Sequence, residues 1–390
     1  MNNHAPHFME SFKKLIATPS ISSIDPSLDQ GNRESVELLA NWLEDMGFSI
    51  ELMPVDQQSG KANLIACLGS GDNGLVLSGH TDTVPCNVDL WQQDPFILTE
   101  KDNRLYGLGT SDMKCFFPMV IDVLSKMDLK NLSQPLYILA TADEESTMSG
   151  AQALVDSGRK LGRHALIGEP TGLIPINMHK GILMESIRLT GRAGHSSNPA
   201  LGNSALEGMH AVISALMAWR KELQQNYINN NFRVPVPTLN FGSIKGGDNP
   251  NRICAECLLT VDLRLLPEMD HQSIKDGLHQ VVNRAVAGSG LMVMIEDIFS
   301  GVPAMHTDAN AEIVKLAEKL SGHTASTVAF GTEGPYLNAM GMETVILGPG
   351  DIDQAHQANE YLALERIQPM MDILTKMIGY VCIEDMKHVN

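Results

Sequence analysis

Five short segments of this 390-residue chain end in a histidine or a carboxylate, most of them directly after an apolar run. They are Leu75-Val-Leu-Ser-Gly-His80-Thr-Asp82, Gly107-Leu-Gly-Thr-Ser-Asp112, Leu136-Tyr-Ile-Leu-Ala-Thr-Ala-Asp143-Glu144-Glu145, Ala165-Leu-Ile-Gly-Glu169-Pro and Val345-Ile-Leu-Gly-Pro-Gly350, the last followed by His356. Open α/β sheets bind ligands in the crevice beyond the carboxyl ends of their strands. Imidazoles and carboxylates delivered there by separate strands can cage two metal ions. Such a chain is expected to fold as an α/β protein around that crevice.

The rest of the pattern agrees. Helical spacing is expected over 8–17 and over 33–46, the second closed by Gly47. Short β-type runs follow at 48–52, 63–68, 75–78, 137–141 and 165–167, alternating with helical segments. That alternation predicts a mostly parallel sheet covered by helices on both faces. Pro118 lies inside the helical spacing of 113–127, so a kink or a late helix start is expected there.

After His179-Lys180-Gly181 the period changes from helix-and-strand alternation to a strict two-residue repeat. Over 182–190, Glu185, Ile187 and Leu189 alternate with Ser186, Arg188 and Thr190. A helix is expected from about Asn203, with Ser204 and Glu207 as a capping box and Leu206, Met209, Ile213 and Met217 on one face. β runs at 238–244 and 253–265, a helix over 270–287 and a run at 291–298 complete the order β-α-β-β-α-β of a ferredoxin-like module. A chain of this length exceeds what one hydrophobic core usually organises. The expected division is a metal-binding catalytic domain of residues 1–181 and 299–390, interrupted by an inserted module of residues 182–298.

Bulk properties exclude several classes. A net charge of −18 lacks the basic footprint that nucleic acid requires. The six cysteines, at 67, 86, 115, 254, 257 and 382, are too scattered for a disulfide framework, which favours a reducing cytosol. The first residues lack the basic-then-apolar order of a secretory signal, and no apolar run approaches the roughly 18 residues of a membrane span. A cytoplasmic protein with neither nucleic-acid nor membrane partners is expected.

The candidate donors can be read one by one. In extended backbone, residues two apart point the same way, so Asp82 can accept the ring N–H of His80 and fix its tautomer. Glu144 and Glu145 are adjacent and diverge, so one can coordinate metal while the other faces substrate as a general base. Asp112, in a glycine-bounded turn, has two oxygens with which to bridge two cations. With Glu169 and His356 the set holds two histidines and three ligand carboxylates, which suits zinc, cobalt or manganese better than calcium. Rival chemistries are weaker. Cys254 and Cys257 have C-x-x-C spacing but lie in an expected strand, where residues three apart face opposite ways. No Gly-x-Ser-x-Gly elbow is present. Cys115 reads as a packing residue, and His4, His7, His164, His271 and His388 as surface or core filler.

The chain resembles the M20 metallopeptidase family along essentially its whole length. The strings that carry the resemblance include Ser78-Gly-His-Thr-Asp-Thr-Val-Pro85, Leu105-Tyr-Gly-Leu-Gly-Thr-Ser-Asp-Met-Lys114 and Leu139-Ala-Thr-Ala-Asp-Glu-Glu145. Gly191-Arg-Ala-Gly-His-Ser-Ser197, Gly246-Gly-Asp-Asn-Pro-Asn-Arg-Ile-Cys254 and Leu347-Gly-Pro-Gly-Asp-Ile-Asp-Gln-Ala-His-Gln357 extend it. The resemblance implies that His80, Asp112 and Glu169 hold one metal ion, and Asp112, Glu145 and His356 the other. It implies Glu144 as general acid/base and Asp82 as the group that orients His80. The inserted module would pair two protomers as a homodimer, with His195 reaching the neighbouring active site to stabilise an oxyanion. Asn251 and Arg264 would contact a substrate carboxylate, although Arg264 can instead form an ion pair with Asp262 on its own strand. Glu333 would meet a cationic substrate side chain or, alternatively, sit at a helix N-terminus. One departure is Cys115, where the family pattern has glycine.

The implied reaction is hydrolysis of N2-acetyl-L-ornithine to ornithine and acetate by two divalent ions, zinc foremost with cobalt or manganese as alternatives. Succinyl-diaminopimelate or a broader set of N-acyl amino acids is the alternative substrate class. A metal-binding interaction protein without catalysis is the alternative from a different class.

Overall fold

The computed structural model describes residues 6–55 and 60–383, so His4 and His388 lie outside the described residues. The chain divides into two compact units, one of Met1–Asn177, His306–Ser326 and Thr332–Asn390, the other of Met178–Met305 and Thr327–Gly331. The second unit is wider than the 182–298 expected. Its first long strand is tied at both flanks: Ile182 exchanges backbone hydrogen bonds with Val302, and the Lys180 N–H donates to the Val328 carbonyl. Residues beyond either expected boundary are thereby drawn into it.

The larger sheet has nine strands, whose main path runs Ser49–Pro54, Ala62–Leu68, Leu136–Thr141, Leu75–His80, His164–Ile167, Glu343–Ile346, Ile176–His179, Met305–His306. The four from Leu136–Thr141 to Glu343–Ile346 run parallel. Their flanking strands Ala62–Leu68 and Ile176–His179 are antiparallel to them. Parallel pairing is thus confined to the centre, where Leu75–His80 and His164–Ile167 are buried along their whole length. Such strands read as continuous apolar runs because both faces are covered.

Helices Phe8–Ile16, Arg33–Asp45, Phe116–Lys126 and Ile367–Cys382 bury Phe12, Leu39, Phe116 and Leu374 in the same core as these strands. Gly47, at φ +93°, supplies the left-handed residue that ends Arg33–Asp45. The helix expected over 113–127 starts late, at Phe116. Pro118 therefore falls in the first turn, where a missing N–H costs no internal hydrogen bond. Among the described residues, no helix is long and apolar enough to cross a membrane.

The second unit carries a four-stranded antiparallel sheet in the order Thr238–Gly246, Glu256–Leu265, Gly181–Thr190, Met292–Asp297. With helices Ala205–Asn226 and His271–Ala285 this is the ferredoxin-like arrangement. Ser204 caps its helix, its Oγ accepting from the Glu207 N–H at 3.3 Å. The buried face of that helix differs from the expected one: Ala205, Met209, Val212 and Leu216 are buried, while Leu206 and Met217 are exposed. The helix offers more than one apolar row, and the row beginning with the small Ala205 is the one that packs.

Glu185 is the one buried acid on the covered side of Gly181–Thr190. His279 Nε2 lies 3.5 Å away and Lys275 Nζ 4.0 Å, while Lys275 is already paired with Asp297 at 2.5 Å. Burial first, then the neighbouring Asp297, pushes the Glu185 carboxyl up to about 7. A raised carboxyl pKa gives stability that is complete below the unfolded value and lost as pH rises through the folded one. Glu185→Gln is therefore expected to unfold at a higher temperature than the parent at pH 8, by about 2 °C or more, with the gap shrinking towards pH 5. Thermal unfolding of both proteins across that range checks it; a gap independent of pH contradicts it.

Candidate metal centre

All four central parallel strands deliver a donor at their carboxyl ends. His80 is the last residue of Leu75–His80, and Leu136–Thr141 runs into Asp143-Glu144-Glu145. His164–Ile167 leads to Glu169, and Glu343–Ile346 leads through Gly348 and Gly350 to His356. Asp112 arrives from the loop before Phe116–Lys126. At Gly350 a Cβ would collide with the Ser111 carbonyl, so glycine is needed where this chain crosses the Asp112 loop.

The structure brings these side chains together. Asp112 Oδ1 lies 3.2 Å from His80 Nε2, and its Oδ2 lies 3.5 Å from His356 Nε2. Glu169 approaches His80 Nε2 at 3.7 Å, and Glu145 approaches His356 Nε2 at 2.9 Å. Donor atoms of His80, Glu144 and Glu169 fall within 4.8 Å of one another, as do those of His80, Asp112 and Glu145. One carboxylate thus faces both imidazoles, with a glutamate beside each.

Asp82 departs from the expected contact. His80 Nδ1 meets the Asp82 backbone carbonyl at 3.0 Å, while the nearer carboxylate oxygen stands 3.7 Å off. The strand ends at His80, so the same-side rule for extended backbone no longer governs Asp82. Its other oxygen accepts from the Glu145 N–H at 3.0 Å, which ties the histidine strand to the acidic loop.

The electrostatics are those of a site with surplus negative charge. Burial pushes Glu144 and Glu169 well above the usual carboxylate range, and Glu145 upward too. Burial acts on Asp112 in the same sense, but hydrogen bonds from His356 and His80 outweigh it and hold that carboxyl low. His356 is pushed up to about 10 by its bonds to Asp112 and Glu145. For His80, burial opposes the charged form, yet Asp112, Glu169 and Glu144 together drive its pKa well up. The carboxylates of Asp112, Glu144, Glu145 and Glu169 beside two imidazoles form a donor set of the kind that holds divalent cations.

Asp143 and partners absent from the sequence reading hold the donors in place. The Asp143 carboxylate accepts from Ser22 Oγ at 2.6 Å, Lys61 Nζ at 2.5 Å, Ser146 Oγ at 2.8 Å and Ser149 Oγ at 2.7 Å, and also from Thr147 Oγ1. Burial alone would raise its pKa, but Lys61 and these hydroxyls hold it at about 2. Asp143 has φ +64°, and this knot stabilises the turn that sends Glu144 and Glu145 into the site. Lys61 and Ser22 are remote in sequence, so no local motif pointed to them.

Other expected site residues fall as follows. Cys115, at φ −56° and ψ −28°, is fully buried in ordinary helical conformation, so nothing at that position demands glycine. Arg264 makes the in-strand ion pair, its Nε and Nη2 donating to Asp262 at 2.9 and 3.0 Å, while its side chain stays partly exposed. Glu333 is fully buried and accepts from Thr141 Oγ1 at 2.6 Å and from Ser78 Oγ. It precedes helix Gly334–Ala339 without capping it by side chain. His195 and Asn251 are exposed in the second unit, and His195 Nδ1 lies 2.8 Å from Ser197 Oγ. Cys254 precedes strand Glu256–Leu265 rather than lying in it, and neither it nor Cys257 is in a disulfide.

Known proteins are similar to this chain in sequence and in fold. The pattern of "Peptidase family M20/M25/M40" matches residues 76–380. The acetylornithine deacetylase of Proteus mirabilis is 46% identical over 385 residues, covering 99% of each chain. That of Pasteurella multocida is 46% identical over 377 residues, covering 97% of this chain and 98% of its own. Among solved structures, aminopeptidase PepT from Bacillus cereus superposes with a TM-score of 0.75 at 18% identity, over 98% of this chain and 99% of its own. The M20 metallo-carboxypeptidase Sso-CP2 of Sulfolobus solfataricus gives 0.74 at 17% identity, over 95% and 98%. Strand ends that converge on a shared aspartate, in a chain matched over 305 residues by this pattern, place the protein in peptidase family M20/M25/M40.

Proposed function

We propose that the protein removes the acetyl group from N2-acetyl-L-ornithine, giving L-ornithine and acetate, at a centre of two zinc ions. The observation that carries the reading is Asp112, whose two oxygens face His80 and His356 separately. The substrate rests on relatives of 42–46% identity over nearly the whole chain, each named acetylornithine deacetylase. In this reading His80, Asp112 and Glu169 hold one ion and Asp112, Glu145 and His356 the other. Cobalt or manganese fits the same donors. When bound, the ions supply Lewis acidity at the acetyl carbonyl and bring the pKa of water towards neutrality.

The remaining steps belong to this chain's own residues. Glu144 stays free of the ions, takes a proton from the attacking water and returns it to the leaving amine nitrogen. Burial raises its proton affinity against the opposing pull of His80, as a base that must later act as an acid requires. The second unit pairs two copies of the chain and presents the exposed His195 to the oxyanion in the neighbouring copy. Asn251 meets the substrate carboxylate. The activity is assigned to the cytoplasm, in keeping with cysteines too scattered for a disulfide framework.

Comparing kcat/KM for N2-acetyl-L-ornithine and N-succinyl-diaminopimelate tests the substrate; preference for the succinyl compound overturns it. For the base, Glu144→Gln is expected to keep its metal content while turnover falls at least about 100-fold. Metal analysis and steady-state rates on one preparation decide this, and unchanged turnover removes Glu144 from the role. For the pairing, mixing inactive His195→Ala and Glu144→Gln chains is expected to restore part of the activity. Absence of recovery, with subunit exchange demonstrated, contradicts action across a dimer.

A further inference from the structure

Glu360 is a buried carboxylate, 2% exposed, that the donor set does not use. Its Oε1 accepts from the backbone N–H groups of Ser111 and Asp112 at 2.6 and 2.9 Å, and its Oε2 from that of Gly109 at 2.9 Å. The Gly107 N–H adds a bond to the Glu360 carbonyl at 3.2 Å. Nearly the whole loop leading to Asp112 therefore hangs on one residue.

Asp351 makes a second attachment to the same loop. Its N–H donates to Ser111 Oγ at 2.8 Å, and that hydroxyl donates to the Asp351 carbonyl at 3.0 Å. Residues 351–360 are thus a strap fastened at both ends to the Asp112 loop, with His356 between the fastenings.

The two histidines depend on their surroundings to different degrees. His80 has a side chain 1% exposed and ends a buried strand. His356 is 54% exposed and sits at φ +59°. Packing fixes the first imidazole. The second has mainly its strap.

We propose that Glu360 is a positioning residue for the outer cation position, the one formed by Asp112, Glu145 and His356. It sets the bridging aspartate and the exposed histidine at a fixed separation by gripping the loop of one from the strap of the other. The inner position, with His80 and Glu169 on strand ends, depends on it far less. This inference rests on the two-cation reading above.

The test is titration of the full-length apo protein with Zn²⁺ against a chelating indicator, for the parent and the variants His356→Ala, Glu360→Gln and Ser111→Ala. The parent is expected to bind two ions, and loss in His356→Ala identifies the outer one. Glu360→Gln is expected to weaken that same position at least about 10-fold, the low end for an outer-shell partner, while the other stays within about 3-fold. Ser111→Ala, which cuts the second fastening, is expected to weaken it in the same direction by about 3-fold or more. Unchanged affinities in Glu360→Gln overturn the proposal, as does equal weakening of both positions with a lowered apo unfolding midpoint, the mark of a merely structural residue. Should Glu360→Gln fail to fold, Ser111→Ala decides, and unchanged outer affinity there overturns it. A parent that binds one ion refutes the two-cation reading on the parent alone, and this proposal with it.

Discussion

The arrangement depends on one carboxylate. Asp112 turns one oxygen towards His80 and the other towards His356, and these two histidines lie 276 residues apart in sequence. A buried carboxylate between two imidazoles is stable only while both partners are in place, because removal of either leaves an uncompensated charge in a low-dielectric setting. The parallel centre of the sheet makes the meeting possible, since only strands running the same way bring all their carboxyl ends to one crevice.

Charge then explains the character of the surroundings. Glu144, Glu145 and Glu169 all have raised proton affinity through burial, and both imidazoles are driven towards their charged forms. Groups so disposed gain from any cation placed among them. The structural carboxylate Asp143 is treated in the opposite way, with Lys61 and several hydroxyls holding it ionised. Adjacent residues of one turn are thus given different tasks by their environments alone.

Much of this was legible in the sequence. Buried central strands read as apolar runs, and His80, the acidic turn and Glu169 follow those runs closely, so they announced themselves by position, while His356 lies further beyond its strand. Parallel pairing at the centre followed from alternation, but the antiparallel flanks did not, because strand direction is set by connections that carry no residue signature. The buried face of Ala205–Asn226 was missed where two apolar rows competed. Lys61, Ser22 and Glu360 were invisible for another reason. Each acts on a loop far away in sequence, and a single polar residue in an otherwise ordinary stretch gives no periodicity to detect. Arg264 and Glu333 have partners within the fold, Asp262 for the first and Thr141 for the second, and the Arg264 pair was legible from its two-residue spacing.

The central claim is that Asp112 stands between two cations. Anomalous difference maps from crystals grown with Zn²⁺, recorded on both sides of the zinc edge, measure this directly. Two peaks are predicted, one beside His80 and Glu169 and one beside Glu145 and His356, each in contact with a different oxygen of Asp112. A single peak, or two that do not share Asp112, would contradict the account.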